Sequence, residues 1–364
     1  MELEFKTDYE SILKKMDSID PVQYGRTRNY VNGAVSYLSP YISRGVISTH
    51  QVLKSVFKKG YKISEIESFI KELCWRDYFQ RVGQLKDLNT EIRQIQPAIT
   101  NYQIPSQIIN ASTGITGVDI AIKQLYKNGY MHNHCRMYTA SLVCNIAKSH
   151  WYHPAQWMYY YLLDGDWASN SCSWQWVAGA NSSKRYYSNQ ENINKYTLTK
   201  QSATFLDASY EVIETMEIPV QLKTTEKIIF EVDLPVSTVT QINTELPTFI
   251  YNYYNLDPLW HKGEPGNRIL LLEPDLFSNY PVSKQCIHFI LALSKNIPGI
   301  QIYRGSYNEF VTKYNISKII YKEHPLNKGY KGIKEERDWI TKQAVDYYPS
   351  FFSYWKKIEK YLHN

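Results

Sequence analysis

The stretch LLDGDWASNSCSWQW, residues 162–176, gathers side chains that an ordinary core strand or surface loop would not spend together. Asp164 and Asp166 are one residue apart, Asn170 follows them, and Trp174 and Trp176 flank a single glutamine. Paired carboxylates with an amide can hold and tune a polar ring, while indoles can stack or carry electrons. Upstream, GYMHNHCRMYTASLVCN predicts a helix with Asn133, Arg136, Met137 and Ala140 on one face, at i, i+3, i+4 and i+7. Arg136 has a natural partner in Asp164 or Asp166, because a guanidinium facing a buried site needs a carboxylate. Taken singly, each feature has an ordinary reading: DGD as a turn, WQW as core, a helical asparagine as a cap.

These residues need elements to position them. The chain has 364 residues, comfortable for two domains. Up to about residue 218 it reads as helices. Phe69, Ile70 and Leu73 followed by Tyr78 and Phe79 carry apolar groups at helical spacing. Val118, Ile122 and Leu125 repeat likewise, with Gly129 where a C-cap belongs. A further helix is expected over about 133–150, and another from near Pro154. From about 226 the texture changes to short β-rich runs: KIIFEVDL, TFIYNYYNL, RILLLEP, IQIYRG and KIIYKEH. The later runs alternate with helix-like VSKQCIHFILALSKN and EERDWITKQAVDYY, which predicts a Rossmann-like α/β domain with a parallel sheet of about five strands. The expected order is therefore an all-α domain over 1–218, an α/β domain over 226–345, and a docking helix over 346–364.

Composition narrows the class. A net charge of +6 suits an anionic partner, and the 32 tyrosines supply stacking surface. The five cysteines form no CxxC pair, so neither a disulfide framework nor a metal site is expected. The start, MELEFKTDYESILKK, has no apolar leader region, and no apolar run approaches membrane-spanning length. The expectation is a reduced, soluble, cytoplasmic monomer.

Four segments, taken in order, resemble the flavin-binding domain of the photolyase and cryptochrome family. They are TRNYVNGAVSYLSPYISRGVIS, KELCWRDYF, TGVDIAIKQLYKNGYMHNHCRM and LLDGDWASNSCSWQWVAG, and the likeness covers roughly residues 20–215. It implies FAD folded into a U inside an all-helical domain, without a Gly-rich dinucleotide fingerprint. None appears in this half. The resemblance places the loop Val35, Ser36, Tyr37, Leu38 and Ser39 at the pyrophosphate, with Arg76 adding phosphate charge and Tyr24 contacting the flavin. Asp164, Gly165 and Asp166 would hold the isoalloxazine edge and neighbouring sugar, with Arg136 balancing their charge. Asn170 matches the residue facing flavin N5, where an amide tunes the reduced states.

The resemblance also implies a substrate: DNA carrying a pyrimidine dimer, extruded because the lesion is unreachable inside the duplex. Glu72 matches the glutamate that hydrogen-bonds the dimer, Trp75 and Trp176 its aromatic walls, Asn133 the cavity asparagine, and Met137 the methionine of cyclobutane-dimer enzymes. Arg28, Lys184 and Arg185 are candidate DNA contacts, with His134 standing where many members have arginine. Trp174 and Trp151 match the first two members of the family's electron-transfer chain. The third position falls near Ala98, which leaves Tyr102, Trp157 and the run 159–161 as candidates, and a tyrosine there needs a proton acceptor.

Departures accompany the likeness. Val35 replaces a usual threonine, and beyond WQWVAG the chain reads SSKRYYSNQENINKYT instead of the family's usual continuation. The α/β domain that usually precedes the flavin domain follows it, and whether it holds a second, antenna chromophore is left open. The expectation is a light-driven cyclobutane pyrimidine dimer lyase, that is, a deoxyribodipyrimidine photolyase. The alternatives are a cryptochrome-type blue-light photoreceptor that binds FAD without repair turnover, or a DNA-binding flavoprotein of light-independent role.

Overall fold

Gly129 ends the Thr116–Asn128 helix with φ of 64°, and its N–H caps the Leu125 carbonyl. A Cβ at this position would lie 2.6 Å from Leu163 Cγ, so glycine is required twice over, by conformation and by space.

The computed structural model describes residues 3–343 and 346–362, in two compact units. One unit, Val22–Val35 with Leu85–Phe230, is mainly helical. Its principal helices are Thr116–Asn128, Asn133–Ser141, Tyr152–Tyr161, Trp167–Ala178 and Gln190–Thr197. The helix expected over 133–150 is shorter than its pattern suggests. Residues Leu142–Ile146 widen into a π-helical turn, and Lys148 takes a left-handed φ of 53°. A two-residue antiparallel pairing of Ile104–Pro105 with Thr225–Glu226 closes this unit.

The other unit comprises Met1–Pro21, Ser36–Gln84 and Glu231–Asn364. Its sheet has five parallel strands: β1 (Thr248–Tyr251), β2 (Asn267–Leu272), β3 (Ile300–Arg304), β4 (Ile319–Lys322) and β5 (Ile333–Glu335). The order is β3-β2-β1-β4-β5, the doubly wound arrangement whose direction of growth reverses between β1 and β4. The central strand β1 is buried along its whole length. This is the behaviour of a parallel strand covered on both faces.

Two segments differ from expectation. KIIFEVDL forms no strand among the described residues, and Ile229 is exposed. The fifth strand is instead Ile333–Glu335, too short and polar to announce itself. EERDWITKQAVDYY is not helical where it is described, and residues 344–345 lie outside the described part. Tertiary contacts override its helical pattern: the Ile340 N–H donates to Asp77 at 2.6 Å, and Trp339 is covered by the Arg81 and Arg337 guanidiniums at 3.7 and 4.2 Å.

The units interleave along the chain, whereas the expected segments run end to end. Long-range contacts within the sheet-bearing unit account for this. Arg44 lies over the Tyr253 ring at 3.7 Å just beyond β1, and Phe5 meets Phe289 edge-on at 6.5 Å. The C-terminal helix Phe351–Ile358 returns to the Ile63–Leu85 helix, burying Phe351, Tyr354, Trp355 and Ile358. Among the described residues no helix is long and apolar enough to cross a membrane.

Candidate functional site

In the helical unit, the DGD turn is held from two sides. The Leu163 N–H donates to the Gly129 carbonyl at 2.8 Å, which ties the turn to the end of the preceding helix pair. Arg136 donates through Nε to the Met131 carbonyl at 2.8 Å and through Nη2 to both Asp164 oxygens at 3.0 and 2.9 Å. Asp164 is the arginine's partner of the two candidates. Asp166 caps the Trp167–Ala178 helix, accepting the Ser169 N–H at 2.8 Å. Both carboxylates are buried, and Gly165 between them has no room for a side chain, since a Cβ would meet carbonyls at 2.9 Å.

One turn into that helix, the buried Asn170 donates its Nδ2 to the Ala155 carbonyl at 2.8 Å. This bond decides which end of the amide is which: Oδ1 is the end left to present to a ligand. An acceptor so fixed suits a ring nitrogen that carries hydrogen. The five-residue connection 162–166 turns the chain back on itself, as a short link between neighbouring helices does. Trp174 lies one turn beyond Asn170, and Trp151 one turn before Ala155. Both indoles are buried.

Asn133 opens its helix at an exposed position, and Met137, one turn on, is half-buried. His132 caps this helix by accepting the His134 N–H at Nδ1. Burial, the neighbouring His134 and Arg136 push the His132 pKa down to about 4. Burial and Arg28 do the same for His134, also to about 4. His134 sits between the rings of Tyr196 and Tyr138, 4.9 and 5.5 Å away. At neutral pH it is uncharged, so it would meet a phosphate by hydrogen bonding and not by charge. Tyr24 and Arg28 are half-buried, with the Arg28 N–H bonded to the Tyr24 carbonyl at 2.9 Å. Trp176 is 41% exposed and tilts against Tyr186 at 5.7 Å. Lys184 is exposed; Arg185 lies 4.0 Å from Glu214, so part of its charge is already answered.

The sheet-bearing unit carries the remaining candidates. Ser36, Tyr37 and Ser39 are half-buried and Leu38 is buried, just ahead of and at the start of the short Ser39–Ser43 helix; Val35 belongs to the other unit. Tyr37 takes a left-handed φ of 52°, and Ser36 Oγ accepts the Leu38 N–H at 3.4 Å. Arg76 Nη1 donates to Ser43 Oγ at 2.7 Å, fixing the guanidinium to the same helix. Glu72, Trp75 and Arg76 occupy one face of the Ile63–Leu85 helix. Trp75 stacks face to face on Phe351, with ring centres 3.8 Å apart and planes 9° apart. One indole face is therefore taken by the chain's own C-terminal helix. No sequence pattern signals that contact. At the carboxyl ends of β1 and β4, where α/β sheets bind ligands, Arg44 covers Tyr253 and Tyr254 stacks on His324 at 4.3 Å. Among the described residues no cluster could hold a metal ion.

The geometry can be set beside known proteins. Residues 69–243 match the FAD binding domain of DNA photolyase. A deoxyribodipyrimidine photo-lyase of Streptomyces griseus is 32% identical over 157 residues, 42% of this chain and 34% of that one. A chloroplastic/mitochondrial cryptochrome DASH of Ostreococcus tauri is 29% identical over 205 residues, 53% of this chain and 35% of that one. A solved Synechocystis cryptochrome aligns with a TM-score of 0.47 and 24% identity, covering 54% of this chain and 44% of that one. The aligned part of the chain thus spans about a third of the length of these two curated relatives.

Proposed function

We propose that this chain, whose residues 69–243 match the FAD binding domain of DNA photolyase, is a light-driven DNA repair flavoprotein of the photolyase and cryptochrome family that splits cyclobutane pyrimidine dimers. Its cofactor is FAD. The observation that carries the proposal is the single constellation in the helical unit: Arg136 clamped to Asp164, Asp166 beside it, and the Asn170 amide pinned with its acceptor end presented. Those groups fit an isoalloxazine, which offers both N–H donors and carbonyl acceptors along one edge.

FAD, when bound and fully reduced, would supply the photochemistry, an electron lent to the dimer and returned on ring opening. The chain's residues do the rest. Asn170 would accept a hydrogen bond from a reduced ring, and the Arg136–Asp164 pair sets the local field without leaving net charge buried. Ser36, Ser39 and Arg76 take the phosphates, with Tyr24 against the flavin. By the family likeness, Glu72 is assigned the charge on the dimer anion, and Asn133 and Met137 are assigned contacts with the dimer. Trp75 and Trp176 pack the extruded bases, and Arg28, Lys184 and Arg185 meet the DNA backbone.

One observation favours the second reading, a blue-light photoreceptor without turnover: Phe351 already occupies a face of Trp75. Turnover separates the two. Reduced protein given dimer-containing oligonucleotide and blue light releases repaired monomers under the first reading and none under the second.

A further inference from the structure

We propose that Tyr102 is the surface electron donor of this chain, refilling Trp151 across the stacked imidazole of His150. The inference rests on the family reading of Trp174 and Trp151 as an electron relay, and supplies the terminal residue that this relay lacks at Ala98.

Three rings form a continuous path from the interior to solvent. Trp151 is fully buried. His150 lies next to it, ring centres 5.7 Å apart and planes 36° apart. Tyr102 stacks on the other side of His150 at 5.1 Å and 29°, and 63% of the tyrosine is exposed. The other ring neighbours of Trp151 suit the task less well. Trp167, at 6.5 Å, is only 4% exposed. Tyr152, edge-on to Trp151 at 5.4 Å, is half-buried and less open to solvent than Tyr102.

The path is built and not incidental. The Thr100 N–H donates to the Lys148 carbonyl at 2.8 Å, and the His150 N–H to the Asn101 carbonyl at 2.9 Å. Ser149 Oγ donates to Asn101 Oδ1 at 2.9 Å, closing the same two segments from the side. Tyr102 comes directly after this ladder. The imidazole is fixed as well: Nδ1 accepts the Tyr152 N–H at 3.3 Å, so its proton sits on Nε2, facing Glu91 Oε1 at 2.9 Å. The Glu91 carboxylate lies near the Trp151 indole, whose buried N–H makes no hydrogen bond. A negative charge there stabilises a hole on Trp151 by Coulomb attraction.

Each transfer moves one electron toward the flavin. With FAD bound, the family reading would have Trp174 give one electron toward the excited, oxidised flavin and Trp151 give one to the Trp174 radical cation. Tyr102 gives one to the Trp151 radical cation and releases its phenolic proton to water. The imidazole, harder to oxidise than either neighbour, serves as a bridge and not a stop. Proton loss at an exposed ring makes the return slow. A thiol in solution then restores Tyr102 by giving it a hydrogen atom, becoming a thiyl radical.

The test is the identity of the radical after a light flash on the oxidised holoprotein, read by electron paramagnetic resonance at matched flavin content. Wild type should show a neutral tyrosyl radical. Tyr102→Phe should lose that signal and lower the yield of long-lived radical at least tenfold, and Tyr102→Trp should restore the yield with a tryptophanyl signal. A tyrosyl radical of undiminished yield in Tyr102→Phe, with Trp174→Phe abolishing it, would overturn this proposal alone. Undiminished yield in Trp174→Phe would overturn the relay reading and this proposal with it.

Discussion

Arg136 Nη2 reaches both oxygens of Asp164, at 3.0 and 2.9 Å, while its Nε is held by the Met131 carbonyl. The Asp164 side chain is 3% exposed and that of Arg136 23%. Removing the carboxylate strands a partly buried cation, which costs about 3–5 kcal/mol where such pairs are fully buried. The low end applies here. Asp164→Ala is therefore expected to lose most of its FAD on dialysis, measured by flavin absorbance per chain. Full retention would contradict the placement of the pair at the flavin edge.

Glu72 and the Lys184/Arg185 pair should separate chemistry from binding. Glu72→Ala is expected to lower the repaired yield per photon more than it lowers affinity, because the carboxylate acts on the charged intermediate. Replacing Lys184 and Arg185 together should weaken binding to every DNA sequence and flatten the salt dependence by about one to two phosphate contacts. Lys184 should carry the larger share, since Glu214 already faces Arg185. Equal losses of binding and yield in Glu72→Ala would remove its proposed role.

Two histidines, His132 buried and His134 half-buried, make stability depend on pH in a defined direction. His132 and His134 titrate near 4 in the folded chain against 6.5 when unperturbed, so between these values the unfolded chain binds more protons. Their contribution is present above pH 6.5 and is lost as the pH falls toward 4. Wild-type Tm should drop across that window more than that of a His132→Asn/His134→Asn double variant. Identical profiles would mean the two rings do not stay neutral in the fold.

Phe351 offers a handle on Trp75. Phe351→Ala should cost about 3 kcal/mol, as loss of a buried phenyl ring does, and should shift tryptophan fluorescence to the red. If Trp75 is a wall of the lesion pocket, freeing its face should tighten binding to dimer-containing DNA. Red-shifted fluorescence with unchanged affinity would remove Trp75 from that wall.

Local rules were legible in the sequence; long-range contacts were not. The cap at Gly129 followed from conformation, and the pairing of Arg136 with an aspartate of the DGD turn from the cost of a bare buried charge. Which aspartate it took depended on the turn being tied to the Gly129 carbonyl, a contact without sequence signature. The alternation of β-rich and helical runs was enough for a parallel sheet. It failed at KIIFEVDL, where β propensity had no partner strand, and at EERDWITKQAVDYY, where Asp77 and two guanidiniums outbid a helical pattern. Tyr102 was a candidate by residue type. Only the ladder between residues 100–101 and 148–150 set its ring on His150.

Repair is the central claim, and one assay meets it directly. Protein whose flavin has been fully reduced is mixed with an oligonucleotide carrying a single cyclobutane dimer and exposed to blue light, with a dark control. A photolyase restores more than one pyrimidine pair per protein chain in the light, and none in the dark; this is the predicted result. Full FAD occupancy with no restoration, on both single- and double-stranded substrate, would contradict it.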